Sequence, residues 1–326
     1  MSRSVQRASS ALPASLSATT RWALLDDART LFWGGGLPVD ELLALYDGFR
    51  AERDPHVVEL IISVLARLDG SFVPPEDRPA LRAWIAGYLH PIAHDLGTRR
   101  GSTDDDDRVL LRGAVLSSLG AHGEDPAMYA MAERAARRFV RDPHSVDPEE
   151  AAWALPLSSR HASATRLQAL LATLSRTNDP AARELIAASI GSFERPEIAR
   201  DALRTAVTGG SVNADEFSTV LGAAVAPAAT RAVAVAWLRE HIDEITARLD
   251  ALSLAYLPKL TVQGACTRDE IDAEHAFWGP RIARVEGGER MFAAGLEVAE
   301  RCVALRAREG ARLHAYLTTR REAHRE

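Results

Sequence analysis

The dipeptide Asp-Pro recurs along this chain, at Asp54-Pro55, Asp125-Pro126, Asp147-Pro148 and Asp179-Pro180, each time ahead of an amphipathic segment. An aspartate directly before proline marks a helix start. The carboxylate accepts the free N–H groups of the first turn, and proline, which has no N–H to lose, fits the first helical position. Asp142-Pro143 lies so close ahead of Asp147 that it is assigned to a loop. Repeated capped restarts, each exposing an apolar face, are what stacked helix pairs require. The spacing is irregular and no strict repeat consensus appears. The expectation is therefore an all-α fold, an irregular α-solenoid or HEAT-like helical bowl of about 14–16 helices.

Composition agrees with helices. Hydrophobic residues make up 47% of the chain but aromatics only 6%, so Ala, Leu and Val carry the apolar content, and Ala and Leu are strong helix formers. The first helix begins near Arg21, with Trp22, Leu25, Ala28, Leu31 and Phe32 at helical spacing, and ends at Gly34-Gly35-Gly36. Further helices are placed near 78–95, 104–121, 126–140, 147–155, 160–175, 179–193, 196–207, 214–223, 228–240, 241–254, 268–278 and 289–318. The domain reading is a flexible tail at 1–20, one helical domain over 21–318 and a charged tail at 319–326.

Several function classes fall away. A net charge of −6 lacks the basic footprint of general nucleic-acid binding. No apolar run is long enough to cross a bilayer. The Ser/Ala-rich start contains Arg3 and Arg7 but no continuous apolar region for a secretory signal. Cys266 and Cys302 could form one bridge, but two buried free thiols in a cytoplasmic protein are the favoured reading.

No catalytic centre emerges from the residue pattern. The run Asp104 to Asp107 lacks the glycine and closing glutamate of a calcium loop and is read as helix capping. His90 and His94 are four apart, but Pro91, Ile92 and Ala93 stand where a metallopeptidase helix needs a glutamate after the first histidine. Glu274 and His275 precede Phe277 and Trp278. Adjacent helical residues face different neighbours, so an interhelix contact is expected there. Ser158, Ser159, His161 and Ser163 lack a glycine-flanked nucleophile turn.

The order of motifs adds a family resemblance. From Tyr256 the chain runs Leu257-Pro258-Lys259-Leu260, Gly264-Ala265-Cys266-Thr267, a helix through Glu274, His275, Phe277 and Trp278, a Gly287-Gly288 break, and a last helix with Cys302. Upstream stand Leu24-Leu25-Asp26-Asp27-Ala28, Ala51-Glu52-Arg53-Asp54, Leu96-Gly97 with Leu111-Arg112, and Ala236-Trp237-Leu238 followed by His241-Ile242-Asp243. In this order they resemble the α-helical C-terminal domain of M1-family zinc aminopeptidases, the aminopeptidase N and endoplasmic-reticulum aminopeptidase group.

The resemblance implies a domain that closes like a bowl over the active site of a full enzyme and gates peptide substrates. The zinc and its H-E-x-x-H motif, and the G-x-M-E-N segment that holds the substrate amino group, belong to a separate catalytic domain. Neither motif occurs here, so this chain is expected to be inactive alone, with no catalytic, cofactor or metal residues and no cofactor of its own. Peptides and an M1 catalytic domain, in cis or in trans, are the implied partners. Where the family often carries Arg-x-Gln-Asp, this sequence has Asn213-Ala214-Asp215-Glu216, so that arginine's role does not transfer. The alternative is a stand-alone helical-repeat scaffold that binds peptides or proteins.

Overall fold

Each Asp-Pro start caps as its chemistry dictates. In the computed structural model, which describes residues 16–207 and 212–323, Asp54 accepts hydrogen bonds from the N–H groups of His56 and Val57, both at 3.1 Å. Asp125 accepts from Met128 N at 2.9 Å, Asp147 from Glu149 N at 2.9 Å and Asp179 from Ala182 N at 3.0 Å. Asp142 opens only the short 3-10 turn Pro143–Ser145, as its nearness to Asp147 requires.

Sixteen α-helices and no strand are found among the described residues. In order they are α1 (Ala18–Gly34), α2 (Val39–Asp47), α3 (Pro55–Arg67), α4 (Arg78–Leu96), α5 (Asp106–Ala121), α6 (Pro126–Arg141), α7 (Pro148–Arg160) and α8 (Ala164–Leu174). They continue with α9 (Pro180–Gly191), α10 (Pro196–Val207), α11 (Ala214–Val225), α12 (Ala228–Glu240), α13 (Ile242–Thr246), α14 (Ala251–Val262), α15 (Arg268–Trp278) and α16 (Gly288–Ala323). A π-helical turn, Leu68–Phe72, prolongs α3.

The chain divides into two compact units, residues 1–128 with 304–326, and residues 129–303. In the first, α1 packs on α3, and α3 and α4 both pack on α5. Leu25, Phe32, Leu42, Ile61, Ile85 and Tyr88 are fully buried there. In the second, α9 packs on α7, α8 and α11, α10 on α12, and α14 on α11 and α15. Ile186, Ile190, Val220, Leu221 and Leu238 form its buried centre. Within both units helices meet their next-but-one neighbours, so each buries apolar residues on more than one side.

Two glycines stand where neighbouring atoms leave no room for a side chain. Gly35 ends α1 in the left-handed region at φ 83°, and its N–H bonds back to Leu31 and Phe32. A Cβ there would stand 2.5 Å from the Arg308 guanidinium. Gly191 closes α9 so tightly against α11 that a Cβ would lie 2.3 Å from the Val220 carbonyl oxygen.

Five expectations need correction. The helix expected over 241–254 breaks after Thr246, because Asp250 turns its carboxylate to Leu252 N and Ser253 N at 2.8 and 2.9 Å and starts α14 afresh. The last helix continues to Ala323, into the segment read as a charged tail. The first starts at Ala18, where Ser17 accepts from Thr20 N, while residues 1–15 of the expected flexible tail lie outside the described residues. Finally, Cys266 and Cys302 are not free thiols. They form a disulfide with a Cα–Cα distance of 5.1 Å, because the turn before α15 lies against α16. The α1 face is also narrower than its spacing suggests: Leu25, Ala28 and Phe32 are buried, but Trp22 and Leu31 remain exposed.

Candidate functional site

The acidic run divides its work. Asp105 caps α5 by accepting from Arg108 N at 2.9 Å. Asp104 instead receives the Gly101 N–H at 2.7 Å and pairs with the buried guanidinium of Arg112. The Gly101 hydrogen bond and the Arg112 contact hold the Asp104 carboxyl below its ordinary range. Capping was legible in the sequence; the buried partner eight residues on was not.

The two histidines of α4 do not converge. His90 Nε2 reaches Asp125 at 3.2 Å, while the His94 side chain is almost wholly exposed. They do not make the ligand set of a peptidase zinc. A tighter polar cluster surrounds the π-turn. Asp69 accepts from Arg82 Nε and Nη2 at 2.8 and 3.2 Å and meets His122 Nδ1 at 3.1 Å. Burial pushes the Asp69 carboxyl up, but the His122 and Arg82 contacts outweigh it and hold the value low. Arg82 also donates to Glu124, whose backbone lies at φ 53°. Carboxylates matched to guanidinium in this way stabilise a turn; they leave no free base.

Glu274 and His275 turn to different neighbours, as expected. Glu274 accepts from Arg239 on α12 at 2.7 Å and from Thr261 Oγ1 on α14 at 2.8 Å, and Trp278 Nε1 donates to the same hydroxyl at 3.0 Å. Burial drives the Glu274 carboxyl above its ordinary range despite these partners. His275 sets its ring edge-on to Phe292. Ser158 and Ser159 are committed to the helix, donating to Leu155 O at 2.8 and 3.4 Å, while Ser163 precedes α8 without a side-chain cap.

Asn213-Ala214-Asp215-Glu216 forms a reciprocal capping box at the start of α11, with both backbone contacts at 2.9 Å. Glu216 also receives Arg183 of α9 through two hydrogen bonds of 2.6 and 2.8 Å. Nothing in the local spacing announces this pair, because 33 residues separate its members.

A cleft of about 700 Å3 opens between α6 and α8. Its floor includes Val140 and Ala169, and Arg137, Arg141, Arg166 and Glu133 stand around it. Glu133 accepts from both Arg166 Nη2, at 2.7 and 2.8 Å, and Arg137 Nε, at 2.8 Å. No hydroxyl–imidazole pair lines it.

This motif order, now carried by an all-helical chain, matches the family model of the ERAP1-like C-terminal domain over residues 2–301. The chain belongs to that family. It is 27% identical to Aminopeptidase M1-A of rice (Oryza sativa subsp. japonica) over 276 residues, covering 80% of this chain and 30% of that protein. It is 28% identical to Tricorn protease-interacting factor F2 of Thermoplasma acidophilum over 176 residues, covering 54% of this chain and 21% of the relative. The chain therefore spans less than a third of either relative. Within the ERAP1-like domain, ion pairs and caps engage Asp104, Asp105, Glu216 and Glu274, and the α6–α8 cleft is a candidate binding feature.

Proposed function

We propose that this chain is the substrate-gating, peptide-enclosing domain of an M1 zinc aminopeptidase and contributes no catalytic zinc centre. The observation that supports this is the family match over residues 2–301 of a chain whose sequence has no H-E-x-x-H. A helical array offers a wide surface for a flexible chain without needing a reactive group. The catalytic domain, in cis or in trans, holds the zinc; this domain limits which peptides reach it. The proposed compartment is the cytoplasm, where a structural disulfide is uncommon. Recovery of the chain from a secreted or organelle-enclosed fraction of source cells would overturn the cytoplasmic assignment.

The test is enzymatic. The purified chain, given zinc, should not hydrolyse leucyl or alanyl anilides. The native species captured from source cells through an antibody to this domain should contain zinc and hydrolyse them. Hydrolysis by the isolated chain, or an inactive zinc-free native species, would overturn the proposal.

A further inference from the structure

The lining of the α6–α8 cleft carries more arginines than carboxylates. Three guanidiniums, Arg137, Arg141 and Arg166, face one carboxylate, Glu133, in a chain of net charge −6. Arg166 is largely buried and its Nη2 is shared by both oxygens of Glu133. Arg137 and Arg141 are different. Four residues apart on one face of α6, they are neighbours, and each uses only its Nε, Arg137 on Glu133 and Arg141 on the Arg137 carbonyl at 3.2 Å. Their Nη groups meet no partner among the described residues, and both side chains are exposed. Planar guanidiniums match carboxylate oxygens in geometry, and the Glu133 carboxylate already pairs with Arg166 and Arg137 at this place.

The size of the cleft narrows the ligand. At about 700 Å3 it is in the range of sites for small organic molecules and far beyond a lone ion. Its floor, with Val140 and Ala169, is apolar, which suits the backbone and aliphatic stems of a short segment. The first turn of α8 opens at the same cleft without a side-chain cap from Ser163, so its N–H groups add to the positive field.

We propose that the α6–α8 cleft binds an acidic peptide segment, with neighbouring Asp or Glu side chains on the Nη groups of Arg137 and Arg141. This rests on the reading that the domain contacts peptides, and it assigns a charge preference to a place on it.

The test uses the full chain and a fluorescent Asp-Glu-Asp-Glu peptide with both ends blocked, so that only side chains carry charge. An Asn-Gln-Asn-Gln peptide is the control, and anisotropy is read at low and at physiological salt. The acidic peptide should bind about tenfold more tightly, with the preference shrinking as salt rises, since exposed contacts are screened. The double variant Arg137→Gln, Arg141→Gln should bind it roughly fivefold to tenfold more weakly with an unchanged circular dichroism spectrum, because both side chains are exposed. Equal binding of the two peptides, or a variant that binds like the parent, would overturn the charge preference and leave the peptide reading standing. If neither peptide binds at all, both readings fall.

Discussion

The contact of α9 with α11 makes the sharpest prediction about how this fold is held. Gly191 lies at the end of α9, where a Cβ would come 2.3 Å from Val220 O and 2.6 Å from Ala223 Cβ. Neither obstacle is the loose end of a long side chain; one is helix backbone. Gly191→Ala gains at most about 1 kcal/mol of helix propensity. Against that, relieving a contact more than 1 Å too short forces the two helices apart, an overpacking cost of about 1–3 kcal/mol or more. The expected net effect is a loss of about 2 kcal/mol. Gly222→Ala in α11 is the matched control. No atom lies within 4 Å of a Cβ there, so it should gain about 0.5–1 kcal/mol. Urea unfolding followed by circular dichroism at 222 nm, with the slope checked for constancy, measures both. Equal effects of the same sign at the two sites would refute the packing of α9 on α11 described here.

Three further results are expected. Reducing Cys266–Cys302, whose members are 36 residues apart, should lower urea stability by about 3–4 kcal/mol from the closed loop, and an unchanged midpoint in dithiothreitol would contradict the bridge. Burial pushes the Glu216 carboxyl up, but its hydrogen bonds from Arg183 and Asn213 N–H outweigh this and hold it below the ordinary carboxylate range. Its stabilisation is therefore present above the unfolded value and lost as pH falls through the folded one, so Glu216→Gln should flatten the acid limb of the stability–pH curve and lower the plateau at neutral pH. Glu274 works in the opposite sense: burial raises its value, its contribution is full below the unfolded value and is lost as pH rises through the folded one. Glu274→Gln should change stability at neutral pH by less than about 1 kcal/mol, whereas Glu274→Ala, which strands Arg239 and Thr261, should cost about 2 kcal/mol; equal losses in the two variants would refute the account of that network.

Local chemistry was legible in the sequence, and distant pairing was not. Asp54, Asp125, Asp147 and Asp179 act through N–H groups two or three residues away, so their spacing alone is informative. The break at Asp250 was missed because a helical apolar pattern continues across it from Ile245 through Leu249 to Leu252 and only the cap reveals the restart. The disulfide, the Arg112–Asp104 pair and the Arg183–Glu216 pair depend on which helices become neighbours. No window of the sequence contains that information. The cleft had one visible sign, Arg137 and Arg141 at i, i+4, but an arginine-rich composition hides such a pair among many others. The family resemblance, by contrast, was readable because it lies in the order of weak motifs along the chain.

The most direct test of the central claim is the mass of the native species that carries this domain, read by immunoblot of source cells with an antibody against it. Membership of an M1 zinc aminopeptidase in cis predicts a band several times larger than 35.4 kDa, with an H-E-x-x-H motif in the additional sequence. A band at 35.4 kDa that brings no zinc peptidase with it on native capture would contradict the claim.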